Sequence, residues 1–177
     1  MESSRRNKIY AVLAGGLVLG VGAAVTLAAW NDPEFATGTF TAGSFVFEGS
    51  ENGTTWGEHA TEGEAADLTF SADFDNLSPD DVVYAPYALR LTATTAADLT
   101  AVAPVVTGDL NGQLTFDSVA TTAFGCEDAA DFAAGTAVPA TIADGEIINL
   151  CLEVTASSTI GQGDTGTAVW QWNAVSQ

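Results

Sequence analysis

Few residues of this chain are of the kinds that do chemistry. Cys126 and Cys151 are the only cysteines. An even count allows one disulfide, and the other reading is two buried free thiols. His59 is the only histidine, within Gly57-Glu58-His59-Ala60-Thr61-Glu62. A zinc peptidase usually sets two histidines on one helical face with a glutamate between them. No His-Glu-x-x-His occurs, so His59 with Glu58, Glu62 and Glu64 reads as a solvated loop rather than a metal site. No Gly-x-Ser-x-Gly elbow is present either. The residues therefore lead to no expected enzyme activity and no required cofactor.

Calcium is the more serious ion to weigh. Asp73, Asp75, Asp80 and Asp81 cluster around one turn, and calcium takes several oxygen ligands. The EF-hand spacing fails, because Leu77 and Ser78 stand where that loop wants a ligand and a glycine. The competing reading is a charged, solubilising turn. Asn52-Gly53-Thr54 and Asn76-Leu77-Ser78 match the glycosylation sequon, and both read as chance.

The charge balance narrows the partners. The chain has 177 residues with 4 Lys+Arg against 23 Asp+Glu, a net charge of -19. A nucleic-acid binder needs a basic face to displace phosphate counterions, and none is available. A polybasic contact with anionic lipid fails for the same reason. Yet 47% of residues are hydrophobic, enough for a packed core rather than a disordered acidic tail.

Three of the four basic residues, Arg5, Arg6 and Lys8, precede the uncharged run Ile9 to Ala29. That order matches an export segment, and the run is long enough to span a bilayer. It ends in Ala28-Ala29 before Trp30-Asn31-Asp32, which reads as a processing site between Ala29 and Trp30. The alternative is a retained anchor. Cleavage would leave 148 residues, with 22 acids against Arg90 alone, a charge of -21 and no lysine. Export implies an oxidising compartment, which favours the Cys126–Cys151 disulfide over two thiols.

The elements that must position these residues read as strands. Val83, Ala85, Tyr87, Leu89 and Leu91 fall on one face, with Arg90 and Thr92 opposite. Ile148, Leu150, Leu152 and Val154 alternate with Asn149 and Glu153, and Trp170 and Trp172 with Gln171 and Asn173. Period two means half-buried strands. Turn clusters lie at Gly49–Gly53, Asn76–Asp81, Gly108–Gly112 and Gly161–Gly166. Glu48–Ala66 reads as a surface loop, and Glu127–Ala134 as one short helical turn. The expected fold is all-β, a jelly-roll-like antiparallel sandwich in one domain after the export helix.

Ala28-Ala29-Trp30-Asn31-Asp32, followed after six residues by Thr39-Phe40-Thr41-Ala42-Gly43-Ser44-Phe45-Val46-Phe47, resembles the N-terminal region of the TasA/camelysin family. Gly15-Gly16 and Gly20-Val21-Gly22 fit that family's signal segment. Asp75-Asn76-Leu77-Ser78-Pro79-Asp80-Asp81 and Trp170-Gln171-Trp172-Asn173 are weaker matches. The resemblance is close over about the first 50 residues.

The resemblance implies a secreted jelly-roll subunit of bacterial surface or biofilm-matrix fibres, cut by a SipW-type signal peptidase. It also implies a homopolymer joined by donor-strand exchange. Residues 1–29 would be the signal, 30–38 the donor arm and 39–177 the sandwich. Trp30 and Phe35 would anchor the arm, with Asn31, Asp32, Pro33 and Thr37 between and beyond them. Gly38 and Gly43 would be its hinges. Membrane contact would be limited to the signal segment before cleavage. A lysine-free mature chain offers no lysine amine for sortase chemistry, so any polymer should be non-covalent. The alternatives are a monomeric secreted adhesin binding a glycan or Ca2+, and, less favoured, a camelysin-like metallopeptidase.

Overall fold

A computed structural model describes residues 2–26, 33–71 and 74–177, leaving the side chains of residue 2 and residues 18–26 outside that description. The chain divides into two units, Met1–Thr41 and Ala42–Gln177. In the first, helix α1 spans Glu2–Thr26. Among the described residues, no helix is long and apolar enough to cross a membrane. The uncharged run Ile9 to Ala29 continues past the described side chains. Residues 33–41 have no regular secondary structure.

The second unit is an antiparallel β-sandwich. Its strands are β1 (Phe45–Ser50), β2 (Val82–Ala93), β3 (Ala97–Gly108), β4 (Leu114–Thr121), β5 (Thr141–Ile142), β6 (Ile147–Ala156) and β7 (Gly166–Ser176). One sheet has the order β1-β2-β6-β4, the other β5-β3-β7, and every pairing is antiparallel. A five-residue helix, α2 (Ala129–Ala133), lies between β4 and β5, with Asp128 accepting from the amides of Ala130 and Asp131.

The core follows the alternation seen in the sequence. Val83, Ala85, Tyr87, Leu89 and Leu91 of β2 are buried, as are Ile148, Leu150, Leu152 and Val154 of β6. Leu99 of β3 and Ile142 of β5 join this cluster, with Trp170 and Trp172 of β7 packed against it. Fully burying one of the larger aliphatic side chains, such as Leu89 or Leu150, stabilises the fold by roughly 1.5–3 kcal/mol. A second, smaller core covers the other face of the β2/β6 pair. There Tyr84 packs with Cys126 and Cys151, flanked by Val119 and Phe132.

Two expectations need correction. Glu48–Ala66 is not wholly a loop, because Glu48, Gly49 and Ser50 complete β1 opposite Arg90, Leu89 and Ala88. Beyond them, Gly57 pairs with Gly49 through two backbone hydrogen bonds of 2.9 and 3.1 Å. The segment looks like a turn because of its glycines, yet Gly49 is required by packing. A Cβ there would fall on the Tyr87 hydroxyl. The same holds for the Gly49–Gly53 turn, whose first two residues belong to β1.

β3 escapes sequence reading because Pro104 interrupts it. Proline cannot donate to a ladder and is tolerated at bulges. The β3–β7 register shifts between Val102 and Val105, where Pro104 sits. Pro86 is accommodated differently. β1 ends at Ser50 opposite Ala88, so Pro86 pairs only with β6.

Candidate functional site

The two sheets are unequal, four strands against three, and the third strand β5 has only two residues. Among the described residues, β7 pairs with β3 along one side and with no strand along the other. Eleven residues of edge, Gly166–Ser176, are therefore open. A groove of about 1040 Å³ runs beside that edge. β1 and the segment Glu58–Leu68 form its far wall, Tyr87 and Leu89 its floor, and Trp170 and Trp172 its near wall.

Alternation along β7 turns Trp170 and Trp172 inward while Gln171 and Asn173 stay exposed. The Trp172 ring stacks on Tyr87, with centroids 5.3 Å apart and planes at 21°. Trp170 contacts Phe116 edge-on at 5.3 Å and Phe70 at 5.8 Å. Such aromatic pairs contribute roughly 0.5–1.5 kcal/mol beyond area burial, so the near wall is well fixed. The Tyr87 hydroxyl lies 3.5 Å from Nδ1 of His59. Burial first, and the nearby Glu51 carboxylate second, push the Tyr87 phenol up to about 12.

The charged lining of the groove is acidic, with Glu48, Glu58, Glu62 and Asp67. Arg90 donates from Nε (3.1 Å) and Nη2 (2.7 Å) to a single oxygen, Oε2 of Glu48. Its guanidinium also lies 4.4 Å over the Trp56 ring.

Several sequence-predicted residues fall outside the described set, namely Ala29, Trp30, Asn31, Asp32 and Asp73. Of the arm, Pro33, Phe35, Thr37 and Gly38 lie in the exposed segment 33–41, with Phe35 90% and Phe40 95% exposed. Gly43 is the second residue of the second unit, and a Cβ on it would collide with Thr94. Close packing therefore accounts for that glycine. Cys126 and Cys151 form a disulfide, with Cα atoms 5.2 Å apart.

Asp75, Asp80 and Asp81 lie in the turn before β2. Asp81 accepts a 2.6 Å hydrogen bond from the Ser78 amide, and Asp80 takes the left-handed conformation, φ 65°. Among the described residues, no three His, Cys, Asp or Glu side chains are grouped to hold a metal ion. The groove residues that sequence reasoning missed are Tyr87, Phe70 and the Glu58–Leu68 wall, which come together only through tertiary packing. In comparisons with known proteins, no family model matches the chain and no curated protein matches it.

Proposed function

We propose that this protein is a secreted structural subunit of extracellular or biofilm-matrix fibres, joined non-covalently by strand addition. The N-terminal arm of one copy adds along β7 of the next. The observation that supports this is the groove beside an 11-residue edge that no described strand pairs with, in the smaller of two sheets. A strand there would make the sheets four against four. Main-chain hydrogen bonds would supply affinity, and alternate side chains entering the groove would supply register.

The arm has the matching character. Phe35 is a large apolar side chain on an exposed segment without regular secondary structure, which is a poor state for it in water. Eight residues, Trp30 to Thr37, reach about 27 Å as a strand, within the length of β7. Pro33 fits near the start of such a strand, where a missing N–H costs least. The contact is heterologous, so it propagates as an open filament rather than closing a dimer. Cleavage between Ala29 and Trp30 by a SipW-type signal peptidase would free the arm. The disulfide is compatible with an oxidising extracellular location.

Electron microscopy and size exclusion of the mature protein, with and without Trp30–Thr37, test the proposal. Filaments are expected only from the intact form. Strict monomers from both, with affinity for a glycan or an ion, would support a secreted adhesin instead. N-terminal sequencing of secreted protein reads the cleavage site directly, and Trp30 is the expected first residue.

A further inference from the structure

Arg90 is the only basic residue after Lys8, in a region holding 22 acids. Its position is specific. Glu48 of β1 is its direct cross-strand partner, and both Nε and Nη2 reach the same carboxylate oxygen. On the other side the guanidinium lies against Trp56. Trp56 immediately precedes Gly57, whose N–H and C=O both bond to Gly49. The chain then runs directly into Glu58–Leu68, the far wall of the groove. Past Gly57 that wall is held by the His59–Tyr87 contact and by Ala66 and Leu68 packed on the core.

From this geometry we infer that Arg90 is the positioning residue of the groove, holding Trp56 and thereby the start of the wall that faces β7. It does not touch an incoming strand, and it acts through Trp56 and Gly57. Exposed ion pairs contribute little in general. This one is half-buried, joined by two N–H groups and stacked on an indole, a geometry that guanidinium has and ammonium lacks. Lysine would keep the charge and lose the fork. This inference rests on the strand-addition reading only where it concerns assembly. The wall itself can be tested on the monomer.

The test compares the mature protein with Arg90→Met, Arg90→Lys and Trp56→Leu. Amide hydrogen exchange on soluble monomer is measured at Gly49 and Gly57, and the critical concentration for filaments is measured by sedimentation. In Arg90→Met both amides should exchange about tenfold faster and the critical concentration should rise about tenfold. Arg90→Lys should fall between, and Trp56→Leu should reproduce the exchange change with the ion pair intact. Val154→Ala, a core change far from the wall, should lower the melting temperature and leave both readouts unmoved. Unchanged exchange at Gly49 and Gly57 in Arg90→Met would overturn the inference, as would equal effects from Val154→Ala. If the native protein forms no filaments, strand addition fails, while the exchange data still decide the role of Arg90.

Discussion

Tyr87 of β2 and Trp172 of β7 stack across the sandwich with ring centroids 5.3 Å apart. This contact ties the floor of the groove to the strand whose edge is open. Gly49 closes over the Tyr87 hydroxyl with no room for a side chain. The floor, the β1 wall and the β7 edge thus depend on one aromatic pair.

Replacing Gly49 by Ala should destabilise the domain by about 1–3 kcal/mol, the usual cost of overpacking. Most of that loss should disappear when Tyr87→Phe is added, because the hydroxyl is the atom displaced. Chemical denaturation of the two single variants and the double variant measures this coupling. Additive losses would place the Gly49 requirement elsewhere.

Tyr87 also sets an alkaline limit. Its phenol is pushed up to about 12 in the fold, against an ordinary value of about 10 in the unfolded chain. Between these values the folded state holds a proton that the unfolded state has released. Its contribution is therefore complete below about pH 10 and is lost as pH rises toward about 12. Tyr87→Phe should flatten that part of the stability–pH curve. An identical alkaline slope in both proteins would rule Tyr87 out as its source.

The Cys126–Cys151 bond closes a separation of 25 residues. Loop entropy puts its contribution at about 3–4 kcal/mol. The paired replacement Cys126→Ala with Cys151→Ala should lower denaturation stability by about that amount. The main core should survive, because the bond belongs to the smaller cluster around Tyr84. Near-UV spectra that keep the tryptophan signals would support that division of the cores.

Assembly has to overcome repulsion between acidic subunits. The groove lining is acidic, and the arm itself carries Asp32 and Glu34. Salt, divalent ions or acid should therefore speed filament growth. Calcium and magnesium should act alike, and neither should shift the melting temperature of the monomer. A selective rise with millimolar calcium would instead point to a site in the Asp73–Asp81 turn. Fastest growth in low-salt, neutral, chelator-treated buffer would contradict the repulsion argument.

How much of this was legible in the sequence depends on the element. β2, β6 and β7 were readable because the large apolar side chains of each, such as Leu89, Leu150 and Trp172, recur at period two on the face toward the main core. β3 was not, since Pro104 argues locally against a strand and only the bulge against β7 admits it. β1 was half-hidden, because Glu48-Gly49-Ser50 has the composition of a turn. The arm could be marked out from its apolar residues beside an export segment. The groove could not, because Tyr87, Trp172, Phe70 and the Glu58–Leu68 wall are far apart in sequence. Arg90 stood out only as a lone cation, and its partners Glu48 and Trp56 became visible through cross-strand register and loop packing.

The central claim is that β7 receives a strand from another copy. Amide hydrogen exchange along Gly166–Ser176, compared between soluble monomer and filament, tests it most directly. The alternate β7 amides that do not bond to β3 should exchange rapidly in the monomer. In the filament they should slow by about a hundredfold or more. Filaments in which those amides stay as fast as in the monomer would show that β7 is not the receiving edge.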